Sequence, residues 1–367
     1  MSRIRFRIVP PIDRPDEPVV VTGNLPALGE WEPTRGLRLR WEPPFHTGEI
    51  EVETGGRLEF KVTRGTWEAE AVDAFGHVPA NESHDVWLDH TIQLTVADWK
   101  DRYSGRLTRE QIRSRVLAGT RDLRIWLPPS YAGDPFRRYP VWIFHDGDNV
   151  FDPKSSVVTG VDLAVDEWTV RLAHEGVVPE SIVVGVCHPE GFTEENDTAR
   201  DFDLSPELGG AAYAQFVTTE LVPHMDQHYR TLARPEARLL GGASLGALNT
   251  FFTALRHPGF FSRFVCLSTS FHDVSGMPPA HCRHLHALQS EPALPAGVRM
   301  YFDYGSVGLD ECFEPYHRDL GSLLREKGWR DGLEFEICRV VDGRHDELSW
   351  RARLGDALRF VAGRSHP

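Results

Sequence analysis

The chain is short of the residues that would cross-link a scaffold. Only five of its 367 residues are cysteine: Cys187, Cys266, Cys282, Cys312 and Cys338. They are odd in number, scattered and never in C-x-x-C spacing, which excludes a disulfide framework and a zinc ribbon. Positive charge is also scarce. There are 40 Lys and Arg against 54 Asp and Glu, a net charge of −14. Such a balance repels phosphate backbones and anionic lipid, so neither nucleic acid nor a membrane is an expected partner. No apolar run approaches the roughly 18 residues that span a bilayer. The opening MSRIRFRIVPP has no apolar core of the kind found in a secretory leader, so the expected address is cytoplasmic. Internal repeats and low-complexity tracts are missing too.

What is present is a globular composition, 41% hydrophobic and 26% charged, arranged in two halves of different period. In the first hundred residues Ile4, Phe6 and Ile8 alternate with Arg3, Arg5 and Arg7. The same two-residue alternation returns in Leu58, Phe60, Val62 and in Ile92, Leu94, Val96. Turn residues such as Gly23-Asn24, Pro43-Pro44 and Gly55-Gly56 separate these runs, which predicts a β-sandwich over 1–100. The polar stretch DRYSGRLTREQ reads as a linker, placed at 101–113. Beyond it, apolar runs (YPVWIF, SIVVGV, ARLLGG, RFVCLS, VRMYFDYG, LEFEICRVV) alternate with helix-compatible segments. That pattern predicts an α/β domain over 114–367, with a mostly parallel sheet and helices on both faces.

The chemistry begins in ARLLGGASLGALNTFFTALR. A buried strand runs into Gly242-Ala243-Ser244-Leu245-Gly246 and a helix starts at once, the G-x-S-x-G elbow in its proper setting. Ser244 is the candidate nucleophile, and the N–H of Leu245 is a candidate oxyanion donor. A serine hydroxyl needs a base and a group to orient it, in the order Ser, acid, His. His345 follows the last strand-like run, in DGRHDELSW, and is the candidate base. The acid is sought after VRMYFDYG, in SVGLDECFE. Asp310 is preferred there, Glu311 competes, and Glu314 is expected to open the next helix. Gly147 in HDGDNVFDP allows a tight turn that would turn the backbone N–H of Asp148 toward an acyl oxygen. Neither Asp146, Asp148, Asn149 and Asp152 nor His281, Cys282, His284 and His286 form a metal framework, so no metal and no cofactor are expected.

These motifs, with RYPVWIFHDGDNVFD, TELVPHMDQHYRT, GGASLGA and GRHDELSW, resemble a family of α/β-hydrolase esterases. That family includes relatives of enterochelin esterase, S-formylglutathione hydrolase and feruloyl esterases. The resemblance implies Ser244 as nucleophile, His345 as base and Asp148 as oxyanion donor. Many relatives carry Gln at the last position, and their acid follows a shorter Gly-Thr-x-Asp-like turn. The segments VTGNLPALGEWEP and LEFKVTRGTWEAEAVDAFGHVPAN resemble the starch-binding domains of carbohydrate-binding module family 20. There two aromatic rings pack on glucose faces with help from a Lys and an Asn, which implies Trp31, Trp67, Lys61 and Asn81.

The expectation is a serine carboxylic-ester hydrolase acting through an acyl-enzyme on an acylated sugar, glucan or other small polar ester. Arg200 is a candidate for binding a substrate carboxylate or sugar hydroxyls, and an α-glucan is a candidate ligand. The alternatives are a siderophore (enterochelin-type) esterase, an acyltransferase using the same residues, and a non-catalytic glucan-binding protein.

Overall fold

The computed structural model describes residues 1–11, 17–73, 78–103, 105–117, 119–156, 160–189, 198–271, 282, 285, 288 and 297–363. The chain divides into two compact units, Met1–Gly105 and Arg106–Pro367.

In the first unit the period-2 patterns form two four-stranded sheets. One has the order β4 (Arg40–Glu42), β5 (Phe45–Val52), β1 (Ser2–Val9), β9 (His90–Thr95). The other has the order β3 (Leu37–Arg38), β2 (Val20–Gly23), β6 (Gly56–Thr63), β8 (Glu82–Val86). A two-stranded ribbon joins β7 (Ala71–Val72) to β10 (Asp98–Trp99), and the short helix α1 (Lys100–Tyr103) follows. Ile4, Phe6 and Ile8 of β1 are fully buried, as are Leu58 and Phe60 of β6. Phe6 meets Phe60 edge-on at 5.2 Å between ring centroids, which locks one sheet onto the other.

The second unit is built on one eight-stranded sheet. Its strands are β11 (Arg106–Ser114), β12 (Gly119–Leu127), β13 (Val141–Phe144), β14 (Ile182–Val186), β15 (Arg238–Ala243), β16 (Arg263–Leu267), β17 (Arg299–Gly305) and β18 (Phe335–Val340). The spatial order is β11-β12-β14-β13-β15-β16-β17-β18. β12 is antiparallel to both neighbours and every later pairing is parallel. The inner strands β13 and β14 are continuous apolar runs because both of their faces are covered. The covering helices are α2 (Val165–His174), α3 (Thr198–Leu204), α4 (Gly210–Phe216), α5 (Val222–His228), α6 (Leu245–Arg256), α7 (Glu314–Glu326) and α8 (Glu347–Ala362). Among the described residues no helix is long and apolar enough to cross a membrane.

The linker expected at 101–113 is corrected here. Residues 106–113 belong to β11, paired with β12 along its whole length. β11 is an edge strand and most of its side chains are solvated, so its composition is that of a linker. The unit boundary accordingly falls after Gly105.

Candidate active site

Parallel sheets gather functional groups at the carboxyl ends of their strands. Ser244 stands there, between β15 and α6, with φ 57° and ψ −120°. This is a strained conformation for a residue with a side chain, and the surroundings fix it from both sides. The Ser244 N–H donates to the Leu267 carbonyl at 2.9 Å, and the Ser244 carbonyl accepts from the Leu248 N–H at 3.1 Å. The flanking glycines allow the tight approach of strand and helix, since a Cβ on Gly242 would lie 2.8 Å from the Gly246 carbonyl carbon. Beneath the elbow His145 is buried, bonded to the Tyr213 hydroxyl and the Thr250 hydroxyl at 3.1 Å each. Burial pushes its imidazole down to about 3, so it braces the turn as a neutral ring.

Three of the residues expected to act together are in contact. His345 Nε2 is 2.9 Å from Ser244 Oγ, and His345 Nδ1 is 2.6 Å from Asp310 Oδ1. Asp310 is fully buried in the short turn Gly308–Phe313, whereas Glu311 and Glu314 are exposed. Burial opposes ionisation of Asp310. The hydrogen bonds from His345, Ser268 and the Gly305 N–H outweigh it and bring the carboxyl down to about 2. His345 precedes α8, whose N-cap Asp346 accepts from the Ser349 N–H at 2.8 Å and so fixes the loop's exit.

Asp148 lies in the turn Gly147–Asn149 after β13. A Cβ on Gly147 would meet the Gly185 carbonyl carbon at 2.6 Å, so only glycine lets this turn lie against β14. The carboxylate of Asp148 accepts from Arg124 Nη2 at 2.7 Å and Nε at 3.2 Å. A cleft of about 260 Å³ beside it is lined by Arg109, Glu110, Arg124 and Cys187 among others. Arg200 is placed on Asp146, donating from Nε at 2.7 Å and from Nη2 at 3.2 Å, and His188 Nε2 lies 2.6 Å from the same carboxylate. Burial opposes the charge on Asp146, but Arg200 and His188 hold it well below the usual carboxylate range.

In the first unit Trp31 and Trp67 are each half-buried, in the turns after β2 and β6. Lys61 Nζ donates to the Pro79 carbonyl at 2.9 Å and to Glu70 at 3.4 Å, and Asn81 is exposed. Among the described residues one group of carboxylates, Asp162, Asp166 and Glu167, has ligating atoms within 4.8 Å of one another. Arg351 pairs with Asp162 at 3.0 Å. Burial, reinforced by the neighbouring Glu167, pushes the Asp166 carboxyl well above the usual carboxylate range. Of the histidine cluster singled out in the sequence, His281, His284 and His286 lie outside the described residues, and Cys282 is buried.

Residues 114–361 match the family described as "Putative esterase". The chain belongs to this esterase family. Residues 1–93 match the family described as "Starch binding domain" (CBM_20), so a β-sandwich of that domain family precedes the esterase unit. Uncharacterized protein YbbA of Bacillus subtilis (strain 168) is 24% identical over 265 residues, 69% of this chain and 96% of the relative. The enterobactin esterase FES of Shigella flexneri, solved in the presence of enterobactin, is similar in fold. Its TM-score is 0.54 at 16% identity, covering 94% of this chain and 87% of that one. The ferulic acid esterase AmCE1/Fae1A of Anaeromyces mucronatus gives a TM-score of 0.52 at 18% identity, covering 70% of this chain and 91% of that one.

Four further residues of the esterase surround Asp310 and were not singled out from the sequence: Ser268, Asp303, Trp350 and Arg353. Ser268 donates to Asp310 Oδ2 at 2.5 Å, and Trp350 Nε1 donates to Ser268 Oγ at 2.8 Å. Arg353 lies 3.1 Å from Asp303 and 3.3 Å from Asp310. The one trace of this cluster in the sequence is a tryptophan and an arginine three apart, Trp350 and Arg353, just after His345, which share a helix face.

Proposed function

We propose that the esterase works through Ser244 as nucleophile, with His345 as general base and Asp310 as the acid that orients it. The observation that carries this reading is the unbroken chain Ser244 Oγ, His345, Asp310, with links of 2.9 and 2.6 Å. His345 Nε2 takes the Ser244 proton as Oγ attacks the ester carbonyl, then returns it to the leaving alcohol. Water, activated by the same imidazole, cleaves the acyl-enzyme. The backbone N–H groups of Leu245, at the start of α6, and of Asp148 are the proposed oxyanion donors. Each is worth about 3–4 kcal/mol of barrier.

The proposed substrate class is an acylated sugar or glucan, because a starch-binding domain precedes the catalytic unit on one chain. Trp31 and Trp67 would offer flat contact area to sugar C–H groups at little entropic cost, with Lys61 and Asn81 as polar partners. A siderophore-type lactone is the second reading. It is favoured by the likeness to the enterobactin esterase, which extends over 94% of this chain.

The test is hydrolysis of p-nitrophenyl acetate by the wild type and by Ser244→Ala side by side. Activity confined to the wild type is the expected result, and equal rates would remove Ser244 from the mechanism. Retention of the wild type on amylose separates the two substrate classes, since a lactone esterase with no glucan ligand would elute in the void.

A further inference from the structure

The ionisable groups packed around Asp310 are Asp303 on β17, His317 on α7, His345 in the preceding loop and Arg353 on α8. Ser268, at the end of β16, links most of them. Its backbone has φ 44°, a left-handed conformation, and its N–H donates to Asp303 Oδ1 at 2.9 Å. Its hydroxyl accepts from the Trp350 indole N–H and from Arg353 Nη2. An indole N–H and a guanidinium donate and never accept, so both lone pairs of Ser268 Oγ are taken. The single hydroxyl proton has one place left to go, Asp310 Oδ2, 2.5 Å away.

The same oxygen also accepts from the Gly305 N–H at 2.7 Å and lies 3.3 Å from Arg353 Nη2. Oδ2 is therefore saturated from three directions, and the carboxylate cannot rotate without breaking buried hydrogen bonds. Oδ1 is left facing Nδ1 of His345. Charge is arranged as tightly. Asp303 and Asp310 are fully buried, and Arg353, 5% exposed, lies between them as the shared counter-ion. Burial pushes the Asp303 carboxyl up to about 6, so above that pH one guanidinium serves two carboxylates and the cluster is one positive charge short until His345 becomes an imidazolium. His317 does not supply that charge, because burial takes its imidazole down to about 4.

We propose that Ser268 and Arg353 are positioning residues that aim the Asp310 carboxylate at His345 and set how readily His345 takes up a proton. The proposal rests on the Ser244–His345–Asp310 reading above. It carries a sign. Removing the Ser268 hydroxyl takes a donor from Asp310, makes that carboxylate more basic and stabilises the imidazolium. Removing the Arg353 charge does the same by a second route. In both cases His345 stays protonated to higher pH, and the acid limb of reactivity moves up.

The experiment follows the rate of Ser244 phosphonylation by a fluorophosphonate, read by intact mass between pH 5 and 9. It compares the wild type, Ser268→Ala, Arg353→Gln and Arg353→Lys, with thermal unfolding of each variant in parallel. For Ser268→Ala and Arg353→Gln the expected result is an acid limb displaced upward by about one pH unit. Their plateau rate should also be lowered by about tenfold. Arg353→Lys, which keeps the charge and loses the fork, should lose plateau rate while its acid limb stays near that of the wild type. If Arg353→Gln does not fold, Ser268→Ala, which changes no charge, carries the test. A Ser268→Ala limb that coincides with the wild type, whether or not its plateau falls, overturns the proposal and leaves the relay standing. A wild type that the reagent does not label at Ser244 overturns the relay itself, and the proposal with it.

Discussion

The two units arrange their candidate residues in opposite ways. In the esterase unit Ser244, Asp310 and His345 come from three segments more than thirty residues apart in sequence, and each is held by strain or buried hydrogen bonds. In the sandwich unit Trp31 and Trp67 sit half-buried in turns and Asn81 is exposed; the Trp31 backbone, at φ 67°, is tied to the Gly23 carbonyl, and the Lys61 side chain donates to Pro79 and Glu70. The chemistry demands this difference. Proton transfer needs fixed donors and acceptors, so a catalytic group shows itself by its partners. Stacking on a sugar needs solvent-facing aromatic area, which a protein leaves uncovered until the ligand arrives.

The sharpest way to break the comparison is at Ser244. Ser244→Ala should lower kcat by roughly four to six orders of magnitude, measured on an activated ester, with the fold retained. Ser244→Gly should be equally inactive yet more stable than the alanine variant by about 1 kcal/mol in urea unfolding, because glycine accepts the positive φ without strain. Equal stability of the two would show that the elbow stores none.

Next in size is Asp310→Asn, expected to cost about 10⁴ in kcat while Glu311→Gln costs nothing. The same variant has a stability signature. The folded Asp310 carboxyl lies at about 2, below its unfolded value. Its contribution, about 2 kcal/mol, is therefore present above roughly pH 4 and fades as the pH falls toward 2. Unfolding free energies at pH 3 and pH 6 should differ less in Asp310→Asn than in the wild type; an unchanged difference would contradict the assigned environment.

In the other unit, Trp31→Ala combined with Trp67→Ala should abolish retention on amylose and leave p-nitrophenyl acetate turnover within about twofold of wild type, as a loss confined to contact area requires. Retention by the double variant would place the ligand elsewhere on the domain. The smallest effect is expected at Asp346→Ala. It removes the N-cap of α8 and should cost about 1 kcal/mol in thermal or urea unfolding. A neutral result would mean that the tertiary contacts of α8 fix the loop unaided.

What the sequence made legible follows the range of the physics. Period-2 alternation exposed β1, β6 and β9, and the glycines around Ser244 exposed the elbow, because both depend on neighbours a few residues away. His345 was legible through chain order. Asp310 was preferred over Glu311 in the sequence with Glu311 left competing; the difference in burial between them is decided by where the turn Gly308–Phe313 folds. The hub at Ser268 joins residues 35 to 85 positions apart, beyond the reach of any local pattern. β11 was hidden for another reason: an edge strand with solvated side chains has the composition of a linker.

The most direct test of the account is covalent. The wild type and Ser244→Ala would be treated with a fluorophosphonate, weighed intact and digested to locate the adduct. The account predicts one adduct per wild-type chain, on the peptide containing Ser244, and none on the variant. A wild type left unlabelled, or an adduct that persists in Ser244→Ala, would contradict it.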